Sequence, residues 1–164
     1  MKKIVIKGGN NLKGDVYIEG SKNASLALIA ASLLTKDKVI IQNVPKIQDV
    51  FDLIEIIKDL NVTVDFISNV LIIDSSNIRY SPLKNPIVKN LRASYYLMGV
   101  MLALFNKCEI YFPGGCNLGN RPIDMHISSF QKLGVETRFK NELYCFELIK
   151  PKNTTVKFNK KSVG

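Results

Sequence analysis

Residues Leu91–Phe105, LRASYYLMGVMLALF, turn apolar on every side once past their first few positions. A helix with no polar face has no side to turn to water, so it must lie inside the molecule. The same reading applies to residues 24–34, ASLALIAASLL. Each of these buried helices leads into a strand pattern, KVIIQNV (38–44) after the first and CEIYF (108–112) after the second. Further on, Ile47, Val50, Phe51, Ile54 and Ile57 recur at helical spacing and predict an amphipathic helix ending near Leu60. Ile123, Ile127, Phe130 and Leu133 predict its counterpart. Strands follow both: Val62–Phe66 and Val70–Ile73 in the first case, VETRF and LYCFELI in the second.

The order α-β-α-β-β thus occurs twice, at an offset of about seventy residues. Local matches support a duplication: Ala24-Ser25 against Ala93-Ser94, and LNVTV (60–64) against LGVET (133–137). The fold class is therefore α/β (α+β), built from repeated units rather than one open sheet. Such a unit leaves one apolar helix face exposed and calls for further copies to cover it. The opening segment IVIKGGNNLKGDVYIEG reads as two short strands about a Gly/Asn turn and matches neither repeat. The chain stops just after a strand-like TTVKF with no closing helix, and we expect the polypeptide to continue.

Composition narrows the function classes. The chain has 164 residues and a formal net charge of +9, from 23 Lys+Arg against 14 Asp+Glu. That excess is either a solvated lysine-rich surface or a signal of anionic partners. No aromatic-plus-basic RNA signature and no helix-turn-helix spacing is present, so small anions are favoured over nucleic acid. The longest apolar stretch, Ala93–Phe105, falls short of the ~20 residues a membrane span needs. No signal-peptide core forms before Lys7, and a cytoplasmic protein is expected. Three cysteines with no CxxC or Cys/His pairing argue against a metal site and a disulfide framework. Cys108 and Cys145 lie in strand-like runs and read as core thiols.

Chemistry gathers where helices begin. Lys22 and Asn23 open the helix over 24–34, Arg92 opens that over 91–105, and Arg121 stands before Pro122, a residue suited to a first helical position. A cation at a helix N-terminus opposes the dipole, unless an anion sits there held jointly by backbone N–H groups and the side chain. Any one of these residues alone reads as a surface charge; three at equivalent places point to an anion site. Cys116 lies in the loop PGGCNLGNRP (113–122), just ahead of a helix N-terminus and five residues before Arg121. Both neighbours lower a thiol's pKa, although a small filler in a tight loop is the other reading. Asp124 sits on the first turn of its helix, either as a stabilising charge or as an acceptor for a sugar hydroxyl. His126, the single histidine, receives no catalytic role.

GSKNAS (20–25), IQNVPKIQDV (41–50), LRAS (91–94), PGGCNLGNRPIDMHI (113–127), LGVE (133–136) and the terminal SVG carry a resemblance. The chain resembles the UDP-N-acetylglucosamine enolpyruvyl (1-carboxyvinyl) transferases over its whole length. The related 5-enolpyruvylshikimate-3-phosphate synthases share the architecture without a PGGC-x-x-G-x-RP-x-D-x-H loop. The resemblance implies an inside-out barrel of six such units, three in each globular half. On it, residues 1–20 would be strands of the second half. Residues 21–164 would be a partial catalytic half, two units plus the start of a third, lacking its C-terminal remainder.

It also implies phosphoenolpyruvate held by Lys22 and Asn23, with Arg92 and Arg121 around its charges. Cys116 would be a loop thiol that donates a proton or bonds covalently, and that fosfomycin alkylates; Cys116, Lys22 and Arg121 would be catalytic. The UDP-sugar would meet Arg121, Pro122, Ile123, Asp124 and Met125, with Lys160, Ser162, Val163 and Gly164 near its diphosphate and uridine. The implied activity is enolpyruvyl transfer to the sugar 3-hydroxyl in peptidoglycan precursor synthesis, without cofactor or metal. A shikimate-type transferase and a non-catalytic nucleotide-sugar-binding fragment are the alternatives.

Overall fold

A computed structural model of the chain describes residues 3–114 and 123–158. Helix α1 (Lys22–Ser32) leads to strand β1 (Lys38–Ile41), helix α2 (Gln48–Lys58) and strands β2 (Thr63–Ile67) and β3 (Val70–Asp74). The order then repeats as α3 (Tyr96–Phe105), β4 (Lys107–Tyr111), α4 (Asp124–Lys132), β5 (Val135–Lys140) and β6 (Leu143–Leu148). The repeated α-β-α-β-β unit is what the sequence pattern predicts. Helix α3 is shorter than expected, because Arg92–Tyr95 wind as a 3-10 turn before it.

Each unit has a three-stranded antiparallel sheet with the last strand in the middle: β1-β3-β2 and β4-β6-β5. Ile41 pairs with Leu71 in the first sheet, and Cys108 with Phe146 in the second. Because β1 and β2 both run against β3, they are parallel to each other. Only a crossover can join parallel strands, and α2 provides it. In the second unit α4 does the same.

The core lies between the sheets and the helices. Leu26 and Ile29 of α1, Leu53 and Ile57 of α2, and Leu97 and Met101 of α3 meet Leu71, Ile73, Ile110 and Phe146, all at most 2% exposed. Local signals fix where the helices begin and end. Ser21 accepts a hydrogen bond from the Ala24 N–H at the start of α1. Asp49 in the first turn and Lys58 in the last complement the dipole of α2.

The duplication is also written in the backbone. Left-handed residues fall at matching places: Lys36 (φ 54°) and Asn106 (φ 58°) after the first helices, Asn61 (φ 62°) and Gly134 (φ 99°) after the second. Ser68 (φ 54°) and Asn141 (φ 52°) hold the two hairpin turns. Asn61 and Gly134 occupy the second position of LNVTV and LGVET, and Asn and Gly are the residues that tolerate this conformation best.

Three expectations do not hold. Residues 3–20 form no strand, and Leu12 and Tyr17 are each 95% exposed. Their alternation suits a strand, but a two-stranded hairpin with nothing packed against it is marginal in water. TTVKF (154–158) forms no strand either. Cys108 is a core thiol whose pKa burial pushes up, but Cys145 is only half-buried. It pairs with Glu109 and Arg138 on the outer face of the second sheet.

Candidate anion pocket

Lys22 and Asn23 at the start of α1 and Arg92 in the turn before α3 open onto one cavity of about 290 Å³. That is the space of roughly ten waters. Asp49, Asn90, Tyr95 and Tyr96 complete its polar lining, and Leu26, Leu91 and Ala93 its apolar part. The repeat explains why these residues meet. Asn23 and Arg92 precede the matched pairs Ala24-Ser25 and Ala93-Ser94, so they occupy the same position in successive units. Both matched serines are buried and turn back on the segment before them. Ser25 Oγ donates to the Ser21 carbonyl at 2.9 Å, and Ser94 Oγ to the Leu91 carbonyl at 2.7 Å.

A second repeated device holds the approach segments. A Cβ on Gly20 would stand 1.8 Å from the carbonyl oxygen of Asn43, in the loop after β1. A Cβ on Gly114, in the loop after β4, would stand 1.7 Å from the carbonyl oxygen of Lys89. In both units the chain entering the first helix crosses the chain leaving the first strand, with room for no side chain there. The glycine sits on opposite partners of the crossing in the two cases. Lys89 is held further by an ion pair to Glu142 (2.8 Å) and by lying 4.2 Å over the Tyr111 ring.

Among the described residues, two cations and one carboxylate line the cavity. Lys22 Nζ lies 2.8 Å from Asp49 Oδ2. The Arg92 guanidinium stands 5.9 Å over the Tyr95 ring and makes no ion pair among the described residues. The Tyr95 ring packs in turn, tilted, against those of Tyr96 (4.6 Å) and His126 (4.9 Å). Burial, then its hydrogen bond to Tyr96, pushes the Tyr95 phenol up to about 12, so it stays protonated at neutral pH. Lost solvation, reinforced by the Arg92 charge, lowers the His126 pKa against the opposing pull of Asp124. His126 therefore stays neutral at pH 7 and ties the first turn of α4 to the pocket wall.

Of the residues singled out in the sequence, Lys22, Asn23 and Arg92 come together. Ile123 is buried ahead of α4, Asp124 is exposed on its first turn, and Met125 is half-buried. Cys116, Arg121, Pro122, Lys160, Ser162, Val163 and Gly164 lie outside the described residues. Sequence reading missed Asp49, Asn90, Tyr95 and Tyr96. For Asn90 a signal existed, since the repeat offset aligns it with Ser21.

Comparison with known proteins places this geometry. The sequence model of the family described as EPSP synthase (3-phosphoshikimate 1-carboxyvinyltransferase) matches residues 6–164. The chain belongs to the EPSP synthase family. Within that family it is 46% identical over 142 residues to a UDP-N-acetylglucosamine 1-carboxyvinyltransferase of Lactobacillus johnsonii, covering 87% of this chain and 34% of the relative. It is 48% identical over 139 residues to one from Staphylococcus haemolyticus, with 85% and 33% covered. A Bacillus subtilis relative of the same description is 45% identical over 136 residues, with 83% and 32% covered. The chain thus spans about a third of the length of these EPSP synthase family relatives.

The fold agrees. The enolpyruvyl transferase NikO of Streptomyces tendae superposes with a TM-score of 0.75 at 20% identity, covering 88% of this chain and 32% of NikO. EPSP synthase from Acinetobacter baumannii gives 0.58 at 11% identity, with 92% and 35% covered. Both show the enolpyruvyl transferase architecture that the resemblance implies, present here in part. Among the described residues no helix is long and apolar enough to cross a membrane.

Proposed function

We propose that this chain supplies the phosphoenolpyruvate-binding part of an enzyme that transfers the enolpyruvyl group to the 3-hydroxyl of UDP-N-acetylglucosamine. The observation that carries the reading is the shared cavity of Lys22, Asn23 and Arg92, combined with 44–48% identity to transferases named for that sugar nucleotide. In the reaction the sugar 3-hydroxyl gives up its proton as its oxygen bonds to C2 of phosphoenolpyruvate, and C3 gains a proton. The tetrahedral adduct then expels phosphate as C3 loses one. Lys22 and Arg92 neutralise the phosphate and carboxylate, and charge-assisted hydrogen bonds of this kind contribute about 1.5–3 kcal/mol each. Cys116, in the glycine-rich loop, donates the proton to C3, a role typically worth about 10²–10⁴-fold.

On this reading Arg121, with Pro122, Ile123, Asp124 and Met125, meets the UDP-sugar, and Lys160, Ser162, Val163 and Gly164 meet its diphosphate and uridine. A 290 Å³ cavity holds a three-carbon dianion and leaves the nucleotide to these other residues. Residues 1–20 belong to the second globular half, which accounts for the apolar side chains between Ile4 and Ile18 standing in water here. The protein works in the cytoplasm, in peptidoglycan precursor synthesis, without cofactor or metal. The test is phosphate release from phosphoenolpyruvate by the full-length protein. Turnover is expected with UDP-N-acetylglucosamine and not with shikimate 3-phosphate; the reverse selectivity overturns the assignment. Fosfomycin is expected to label Cys116, and turnover without labelling would remove that thiol as the acid.

A further inference from the structure

An acid is an odd wall for an anion pocket. Asp49 nevertheless lines the cavity, with its carboxylate 2.8 Å from Lys22 across 27 residues of sequence. Both partners keep solvent contact, with side-chain exposures of 51% for Lys22 and 39% for Asp49. Such a pair is weak and readily exchanged, unlike a buried one. Asp49 is moreover set on the first turn of α2, where the helix dipole stabilises a carboxylate left without a counter-ion. The carboxylate can therefore release its lysine without being stranded. Lys22 is a long, flexible side chain that would otherwise sample many rotamers, and the pair holds its ammonium at the cavity.

We propose that Asp49 is the resident counter-ion of the pocket: a positioning residue that keeps Lys22 turned inward and gives it up when a phosphorylated anion arrives. Binding is then an ion exchange, in which the incoming phosphoryl group replaces the Asp49 carboxylate on Lys22 Nζ. The inference rests on the anion-pocket reading above and adds a residue whose charge opposes binding. Its rival is that Asp49 serves α2 alone, as an ordinary first-turn acid.

The two part on the sign of an affinity change. Inorganic phosphate and phosphoenolpyruvate are titrated calorimetrically into the full-length protein, its Asp49→Asn variant, and Asp52→Asn as a charge control on the same helix, bonded to Gln48 and absent from the cavity lining. Asp49→Asn is expected to tighten anion binding by about two- to fivefold, the range implied by an exposed ion pair. Asp52→Asn should leave it unchanged. The gain should vanish when Lys22→Met is combined with Asp49→Asn, because the carboxylate acts through that lysine. Unchanged or weaker binding by Asp49→Asn overturns the inference while the pocket stands. Equal gains from both variants reduce it to net charge and overturn it too. Should neither anion bind the parent protein, the pocket reading fails first and takes the inference with it.

Discussion

Residues 22–74 and 92–148 follow one chain path, yet their second helices meet different surroundings. Helix α2 buries Val50, Leu53, Ile54, Ile56 and Ile57, whereas α4 buries none of its residues. Helix α2 packs on α1 and is covered by the segments 86–89 and 92–95 that lead into the next unit. Helix α4 rests on β5, with Phe130 edge-on to Phe146. A unit in this architecture is therefore completed by the approach to its successor. The second difference is the loop between first strand and second helix, 42–47 in one unit and 112–123 in the other. The scaffold is common to both, and the additional chain falls where Cys116 and Arg121 are.

The largest effect should separate the two helices. In this chain Ile57→Ala is expected to cost about 2–5 kcal/mol in urea unfolding, and Ile127→Ala about 1 kcal/mol. Equal costs would break the contrast. Next comes the equivalence of the pocket's two sides. Arg92→Ala should lose about 1.5–3 kcal/mol of phosphate affinity, roughly tenfold or more, by calorimetry; an unchanged constant would mean that the second unit lends the pocket only its shape.

The paired crossings come third. Gly20→Ala and Gly114→Ala should each lower stability by about 1–3 kcal/mol in thermal melts, since neither carbonyl can retreat freely. A silent substitution at either place would end the correspondence. The smallest effect is the pH dependence from His126, which has no counterpart in the first unit. Its folded pKa lies below the ordinary 6.5, so the unfolded chain binds more protons between the two values. The contribution is whole above pH 6.5 and is lost as pH falls toward the folded value. His126→Gln should flatten that part of the stability curve; an unaltered slope would mean that burial and the Arg92 charge do not act on the imidazole.

The sequence made the scaffold readable because helices without a polar side and short alternating runs each leave few places to go. It also exposed Lys22, Asn23 and Arg92, since the repeat puts helix openings in register. Asp49 stayed hidden because an ion pair spanning 27 residues has no periodic trace. Cys145 was misplaced because LYCFELI is apolar on both faces, so alternation cannot say which side is inner. Residues 3–20 show the opposite failure: a genuine strand-like alternation that needs a partner surface to become a strand.

The crossings at Gly20 and Gly114 carry one more consequence. A methyl on the tight side of either contact would collide with a backbone carbonyl, yet the two copies keep their glycine on different chains. What the two units share is thus the close approach itself, and not the identity of the residue that permits it.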